Sequence, residues 1–423
     1  MRAESGSAAL LGLIQKVTDR LVRSLDFDHA LATLIEGATE LLGVDRGSIL
    51  ILDEESRTLS IRVSIGLPDE IIRSTRVRLG EGIAGQVAES GRPIALADVR
   101  RHPGWKSRSD PGGDGGYADF SALCVPLEMH GAVSGVMTFN QKSSGKPFDD
   151  GDLALAMLIA NQASVVLYSA VLHRHFLDKQ ALEQELRIAR AIQERLLPQA
   201  PPRVPGFRFA ARQTMCHEVG GDYYDFLELP SGELAIAIGD VAGHGIGSAL
   251  LATDARSALR DSLLRGEPVA TCLEHLNDVL QADTTEEMYM TFLLGTLDPR
   301  RRRFTFASAG HHMPVLLRGS RFENLPAAGS NIPLGIRRGL RFGLEEPLEL
   351  RPGDLLVLFT DGIWEATSAD GRRFGTAGLE RTLVAHRRRS EEEIVAEIFA
   401  AVSRHHEAAE PDDDRTLVVL RAT

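Results

Sequence analysis

The sequence predicts an α+β protein with more than one domain, and three observations carry this prediction. The chain has 423 residues, which is too long for one ordinary domain core. Strand-like apolar runs are framed by helix-like segments, without the strict alternation of a parallel α/β sheet. A stretch that lacks Gly and Pro, followed by a proline-rich break, separates two such halves.

The N-terminal half opens with helical periodicity and continues into strand-like runs. Residues 8–43 place apolar side chains at helical spacing, and a second helix is predicted from about Asp150 to Ala170. A loop rich in Gly and Pro spans roughly 100–119. The runs that predict strands, each bounded by turn residues, are 48–52, 58–65, 93–99, 121–129 and 135–140.

Residues 173–197 predict a helix that pairs with a second copy of the chain. Four apolar residues recur at alternating spacings of four and three, with Gln193 in the same stripe. They are Leu182, Leu186, Ala189 and Leu196. The prolines of 198–206 then end the helix. We predict a coiled-coil-like linker in a parallel homodimer; the alternative is that the stripe packs on one of the chain's own domains.

These shifts in composition predict four parts along the chain, from the N-terminus to the C-terminus. They are an N-terminal helix (1–25), a first domain (26–172), the helical linker (173–200) and a second domain (201–423). In the second domain, helical stretches lie between some of the buried-strand runs. The strand runs lie at 233–241, 291–298, 304–310, 354–362 and 416–422.

Composition excludes several classes of function. The net charge of −12 disfavours nucleic acid or an anionic membrane as the main partner. Three distant cysteines form neither a disulfide framework nor a thiolate zinc site. We expect no membrane span, because no apolar run approaches the roughly 18 residues that one requires. We therefore expect a cytoplasmic protein.

The residues that suggest chemistry are aspartates beside strand-like runs of the second domain. Asp222 follows a Gly-Gly pair, Asp240 ends one apolar run, and Asp361 ends another. The acidic run 412–414 directly precedes the last strand. Carboxylates crowded together are unfavourable unless cations neutralise them. Hard oxygen ligands of this kind suit Mg²⁺ or Mn²⁺.

Each motif alone has a plainer interpretation. An aspartate after a strand is usually a turn former or a helix cap. The sequence GGD also opens the signature of cyclic-dinucleotide synthases, but here no acidic pair follows it, and FTDG and DDDRT stay unexplained. All four motifs together favour a two-metal hydrolase, in which a hydroxide held between the cations attacks a phosphomonoester.

From about residue 200 to residue 423 the sequence resembles the PPM-type metal-dependent protein serine/threonine phosphatases. The similarity is to the bacterial branch that includes the stage II sporulation phosphatase and the sigma-factor regulatory phosphatases. The resemblance implies an α/β/β/α sandwich with two Mn²⁺ or Mg²⁺ ions at one end. The matching stretches are AIQERLLPQ (191–199), EVGGDYYDF (218–226), GDVAGHGIGSAL (239–250), SAGHHMP (308–314), LFTDGIWEA (358–366) and DDDRTLVVL (412–420).

The resemblance also assigns roles to particular residues. Asp240 would bridge both metals, and the carbonyl of Val241 would bind one of them. Asp413 is chosen among three aspartates because the family pattern Asp-(Asp/Asn)-x-Thr matches residues 413–416. The predicted catalytic and metal-binding carboxylates are Asp222, Asp240, Asp361 and Asp413. By resemblance the partner is a phosphorylated anti-sigma-factor antagonist with a STAS fold.

Other polar residues of these motifs have open or structural roles. His244 follows Asp240 by four positions, whereas the histidine of eukaryotic relatives follows by two, so a role as general acid does not transfer in register. Capping of the following helix is the alternative for His244. His311 and His312 match a family turn motif and are predicted to be structural. Asp225 either helps through a water or is structural.

The first domain resembles a GAF domain, a fold that senses small molecules or mediates dimers. Cys124 is predicted to be a core residue, and Trp105 and Tyr117 either line a pocket or lie on a surface loop. The prediction is a phosphatase regulated by a GAF domain that takes an unknown small ligand or protein. The alternative is a catalytically weak phosphatase fold that only binds a partner. The matching stretches are 79–99, 121–141 and 148–170.

Overall fold

The computed structural model confirms the predicted α+β class. It describes residues 2–103, 120–283, 288–323, 325, 332–407 and 412–423. These residues divide into two compact units, Met1–Gln180 and Ala181–Thr423. Trp105 and Tyr117, which the sequence places in a long loop, lie outside the described residues.

The first unit is an antiparallel sheet covered by helices. Its helices are α1 (Arg2–Ser24), α2 (Phe27–Leu42), α3 (Asp69–Ser74), α4 (Gly82–Ser90) and the first part of α5 (Asp150–Leu196). Its strands are β1 (Val44–Asp53), β2 (Thr58–Ile65), β3 (Arg76–Arg78), β4 (Ile94–Leu96), β5 (Ala122–Met129) and β6 (Ala132–Lys142). In the described residues they form one sheet in the order β3-β2-β1-β6-β5-β4.

Helix α2 shows how the sequence sets these elements. It begins where the Asp26 carboxylate accepts a hydrogen bond from the backbone N–H of His29, and it ends at Gly43, whose backbone is left-handed. Its apolar face, including Leu34 and Ile35, is fully buried against the sheet together with the start of α5. Cys124 is buried as predicted, and this burial raises the pKa of its thiol.

The second unit is a sandwich of two sheets between two layers of helices. Its helices are α6 (Ile246–Leu264), α7 (Val269–Asp283), α8 (Asp361–Trp364), α9 (Gly375–His386) and α10 (Glu391–His406). Its strands are β7 (Phe207–Thr214), β8 (Tyr223–Glu228), β9 (Leu234–Val241), β10 (Met290–Asp298), β11 (Arg303–Ala309), β12 (Val315–Arg318), β13 (Arg321–Glu323), β14 (Leu348–Glu349), β15 (Leu355–Phe359) and β16 (Arg415–Ala422). Across the described residues the sheet orders are β14-β11-β10-β9-β8 and β13-β12-β15-β16-β7.

Strand β16 explains why these strands appear as continuous apolar runs. Val418 and Leu420 pack between the two sheets, whereas Leu417 and Val419 pack beneath α9 and α10. A strand that is buried on both faces needs apolar residues at every position. Helices α6 and α7 cover the other sheet in the same way.

Helix α5 runs for 47 residues and belongs to both units. Its first part contributes Ala156, Ile159 and Ala163 to the core of the first unit. Among the described residues it is also the helix with an 18-residue window apolar enough to cross a membrane, at a mean hydropathy of 1.8 with 33% of that window buried. Core helices of globular domains meet the same criterion of length and composition, which makes this weak support for a span.

The predicted apolar stripe of α5 is exposed at some positions and half-buried at others. Leu182 is 52% exposed, whereas Leu186 and Leu196 are half-buried. Gln193 is only 8% exposed. The prediction of Gln193 in a helix–helix seam is therefore wrong, because its side chain faces the backbone of its own domain. Pairing of the exposed part of the stripe remains a prediction.

Candidate metal centre

Antiparallel pairing brings the four predicted aspartates to one end of the sandwich. The start of β8 lies beside the end of β9, and the start of β16 lies beside the end of β15. Asp222 and Asp413 precede their strands, whereas Asp240 and Asp361 end or follow theirs. In each sheet, the start of one strand and the end of its neighbour therefore lie at the same edge.

Asp222 connects the two sheets. Its side chain is buried, and its Oδ2 accepts hydrogen bonds from Thr360 Oγ1 at 2.7 Å and from Thr416 Oγ1 at 2.5 Å. The backbone N–H of Thr416 in turn donates to Thr360 Oγ1 at 3.0 Å. The Asp222 carboxylate, which directly precedes β8, is therefore held by two hydroxyls that lie at the end of β15 and the start of β16 in the other sheet of the sandwich.

Crowding raises the pKa of these carboxyl groups. Burial, and then the charges of Asp361, Asp413 and Asp414, raise the pKa of Asp240 to about 7. Burial, and then the charge of Asp413, raise the pKa of Asp361 to about 6. Burial, and then the charges of Asp240 and Asp414, raise the pKa of Asp222 well above its ordinary range. The carboxyl groups lie close enough to destabilise one another's charged forms.

The residues fit divalent cations in two respects. Among the described residues, Oδ1 of Asp222 and Oδ1 of Asp361 are buried without a hydrogen-bond partner. Such oxygens, together with the Asp240 carboxylate, are the hard donors that Mg²⁺ and Mn²⁺ prefer. Among the described residues, no group of three or more Asp, Glu, His or Cys side chains has the arrangement of a complete metal site. The carboxylates are neighbours and do not form a closed ligand shell.

The three aspartates of the acidic run 412–414 lie in different environments. Asp413 is exposed to solvent, and its charge acts on both Asp240 and Asp361, which places it at the site. Asp412 is exposed and lies 3.5 Å from His406 Nδ1. The selection of Asp413 as a ligand remains a prediction.

Asp414 is a site residue that the sequence did not single out. It is buried, and its carboxylate accepts hydrogen bonds from the backbone N–H of Cys216 at 2.8 Å and of Asp222 at 3.4 Å. Gly220 and Gly362 pack so closely on Asp414 that a Cβ at either would overlap it. The glycines of the GGD and TDG motifs thus make room for this residue. The signal in the sequence was its place immediately before a buried strand.

Val241 lies at the end of the strand that carries Asp240, and its role as a metal ligand remains a prediction. It ends β9 beside Asp240, is 1% exposed, and its carbonyl oxygen packs against Gly221. Its backbone N–H donates to the carbonyl of Gly221 at 3.3 Å. Gly221, which directly precedes Asp222, therefore contacts the strand that carries Asp240.

Asp225 has a structural role in this arrangement. Arg260 of α6 donates to both of its oxygens, at 2.6 and 2.8 Å, and Tyr223 Oη donates at 2.8 Å. Asp225 is buried, so the pair fastens α6 to β8. These bonds to both oxygens favour the structural role of Asp225.

The histidines separate into exposed and structural ones. His244 is exposed and does not cap α6, which begins after Gly245 with no side-chain cap. Its ring instead packs against that of His217, with centroids 4.9 Å apart. His311 bonds to Thr291 at 2.8 Å, and burial lowers its pKa to about 3. His312 accepts a hydrogen bond at 2.8 Å from the indole N–H of the tryptophan that ends α8.

Two known protein families match the two halves of the chain. The family described as Stage II sporulation protein E (SpoIIE) matches residues 230–423, and the GAF domain family matches residues 24–167. The SiaA-PP2C domain of Pseudomonas aeruginosa superposes with a TM-score of 0.52 at 23% identity. That likeness covers 58% of this chain and 98% of the SiaA domain, and it shows the shared fold.

Two phosphoserine phosphatases of Bacillus subtilis are among the similar proteins. RsbU is 29% identical over 195 residues, which are 46% of this chain and 57% of RsbU. RsbP is 28% identical over 191 residues, which are 44% of this chain and 47% of RsbP. Stage II sporulation protein E of the same organism is 31% identical over 148 residues, 35% of this chain and 17% of that protein. The matches therefore span about half, or less, of these relatives.

The second unit thus contains a domain of the SpoIIE/PPM type, and a GAF domain precedes it. The chain is related to RsbU and to stage II sporulation protein E. The resemblance that the sequence indicated is confirmed for both domains.

The crowding of the carboxylates leads to a testable prediction for the stability of the metal-free protein. Because the pKa of Asp240 is raised from 3.8 to about 7, its contribution to stability is present at low pH and is lost as pH rises through about 7. Asp240→Asn should therefore raise the unfolding temperature in EDTA at pH 8, and should raise it less at pH 5.5. Calorimetry with the exposed variant Asp412→Asn as control measures this. A lower unfolding temperature for Asp240→Asn at both pH values would contradict the account.

The role of Asp225 can be tested separately. Asp225→Asn keeps the side-chain shape but leaves Arg260 without its charged partner. We expect a loss of about 2 kcal/mol of unfolding free energy, because Arg260 retains some access to water. Mn²⁺ binding should change little. Unchanged stability together with lost Mn²⁺ binding would instead make Asp225 part of the metal centre.

Proposed function

We propose that this chain is a divalent-cation-dependent phosphatase that removes phosphate from serine or threonine side chains of a partner protein. The observation that carries the proposal is the acidic edge, where neighbouring carboxylates have raised pKa values and two buried oxygens have no partner among the described residues. The relation to RsbU and RsbP, which are phosphoserine phosphatases, supports the same reaction.

The chain's own residues provide the frame for this chemistry. Asp240, Asp361 and Asp413, with the Val241 carbonyl, would hold two Mn²⁺ or Mg²⁺ ions. Thr360 and Thr416 orient Asp222 by occupying its Oδ2, which leaves Oδ1 to bind a cation. When bound, the ions would supply a nucleophile at neutral pH and would offset charge on the phosphoryl oxygens.

The cysteine beside the site does not compete for the role of nucleophile. Burial, and then the charge of Asp414, raise the pKa of the Cys216 thiol to about 12. A thiol with that pKa is almost entirely protonated near pH 7, and only a thiolate attacks efficiently. This environment is the opposite of the one that activates catalytic cysteines.

The substrate class is proposed from the relatives. From the resemblance to the sigma-factor regulatory phosphatases and the similarity to the phosphoserine phosphatase RsbU, we propose a phosphorylated STAS-type anti-sigma-factor antagonist as the substrate here. The GAF domain would bind an unknown small ligand or protein and regulate the phosphatase. A parallel homodimer, formed along the exposed apolar residues of α5, would place two GAF domains side by side.

Metal dependence and the acidic residues test the reaction. Activity on a phosphoserine peptide should vanish in EDTA and return with Mn²⁺ or Mg²⁺. Asp240→Asn and Asp361→Asn should each lower turnover by on the order of 100-fold or more, because each removes a charged ligand. Asp413→Asn should lower turnover more than the matched variant Asp412→Asn. Full activity in chelator, restoration by Zn²⁺ alone, or wild-type turnover in Asp240→Asn would refute the proposal.

The dimer is tested by a substitution on the exposed stripe. Leu182 is 52% exposed in the single chain, so Leu182→Asp should disrupt pairing without disturbing a domain core. Light scattering should show a dimeric wild type and a monomeric variant. The control is Gln184→Asp, at an exposed position of the same helix. A monomeric wild type, or a Leu182→Asp variant of unchanged mass, would remove the dimer from the proposal.

A further inference from the structure

Arg415 is a buried arginine at the acidic edge of the sandwich. It begins β16, directly after the three aspartates of residues 412–414. The residue is 5% exposed, and its Nε is fully buried without a hydrogen-bond partner. Among the described residues, no carboxylate forms an ion pair with its guanidinium group. Because an enclosed cation without a partner is unfavourable, its position points to an anion that a ligand supplies.

Two other arginines of the same domain show the usual arrangement. Arg421, near the other end of β16, donates from Nε to the buried carboxylate of Glu391. Arg318 donates to both oxygens of the buried Asp354, at 3.0 to 3.3 Å. Both of these arginines are half-buried, whereas Arg415 is buried and lacks such a partner.

The side chain of Arg415 lies against the start of α8, which carries Asp361. A Cβ on Gly362, the second residue of α8, would be 3.3 Å from Arg415 Cγ. Burial lowers the pKa of Arg415, and the charges of Asp412 and Asp413 act in the opposite direction, so both carboxylates are near it. Arg415 is therefore a neighbour of Asp361 and Asp413, which are two of the four predicted metal-binding carboxylates.

The surrounding charges indicate which anion fits. While the carboxylates of Asp412 and Asp413 are charged, they would repel any anion at Arg415. An anion is therefore expected there only when divalent cations neutralise the acidic edge. A phosphate monoester meets this condition, and its oxygens accept hydrogen bonds from a guanidinium group in a forked geometry.

We propose that Arg415 is a substrate-binding residue that donates hydrogen bonds to the phosphoryl oxygens of a phosphate monoester. It orients the phosphoryl group before hydrolysis and holds the inorganic phosphate afterwards. This inference deepens the proposed function and rests on it, because the ester is the phosphoserine or phosphothreonine of the partner protein.

The test compares Arg415→Met with Arg208→Met in the full chain. Methionine keeps an unbranched apolar stem beside Gly362 but has no charge and no N–H donor. Arg208 is exposed at the far end of the neighbouring strand β7, so it is a matched control. Binding of inorganic phosphate is measured by equilibrium dialysis, first with saturating Mg²⁺ and then in EDTA at pH 8. Mn²⁺ binding is measured by electron paramagnetic resonance.

In Mg²⁺, Arg415→Met should bind phosphate about tenfold to a hundredfold more weakly, as expected for the loss of a charge-assisted hydrogen bond. Its KM for a phosphoserine peptide should rise by a similar factor. Its Mn²⁺ affinity should not fall, because an arginine does not bind the cation. Arg208→Met should bind phosphate as wild type does, and in EDTA none of the proteins should bind it.

Three results would overturn the inference. The first is wild-type phosphate affinity in Arg415→Met. The second is weaker phosphate binding with an equal loss of Mn²⁺ affinity, which would mean that Arg415 acts on the carboxylates. The third is phosphate binding in EDTA as strong as in Mg²⁺, which would place the anion away from the acidic edge. If Arg415→Met does not fold, Arg415→Lys gives the same comparison, because it keeps the charge and loses the forked donors.

The reaction is a separate outcome. A wild type that binds phosphate through Arg415 but hydrolyses no phosphopeptide would refute the proposed function and leave the phosphate site standing. Hydrolysis with an unchanged KM in Arg415→Met would refute the inference and leave the proposed function standing.

Discussion

The structure of the SpoIIE/PPM-type domain depends on keeping several carboxylates together at one edge of two sheets. Asp222 is the centre of this constraint, because its buried side chain belongs to one sheet and bonds to Thr360 and Thr416 of the other. Like charges at such an edge oppose folding unless they are protonated or neutralised. The raised pKa values of Asp240 and Asp361 are the cost of this geometry in the absence of cations.

The surrounding structure is arranged to support that edge. Antiparallel pairing places the start of one strand beside the end of its neighbour in each sheet. Gly220 and Gly362 have no Cβ and therefore leave space for Asp414 to pack against them. Two sheets buried on both faces give a rigid frame, which restricts the carboxylates to small movements. Function and stability oppose each other here, because the residues that would bind cations destabilise the metal-free fold.

The sequence predicted the elements whose cause is local and left open those whose cause lies in tertiary contacts. Strands such as β2 and β16 were clear because their apolar runs end at turn residues. The heptad spacing placed Gln193 in a seam, since a periodic pattern does not reveal which partner covers a helix face. The family pattern selected Asp413 among three adjacent aspartates, but it did not indicate that Asp414, directly before β16, is the buried one.

The central claim is that cations neutralise these crowded carboxyl groups. Calorimetric titration of Mn²⁺ into the metal-free protein, in buffers of different ionisation enthalpy, measures both the ions bound and the protons released. With pKa values of about 7 for Asp240 and about 6 for Asp361, we predict two bound ions and net proton release at pH 6. At pH 8 the release should be markedly smaller. Binding without proton release at pH 6, or no binding at all, would contradict the account.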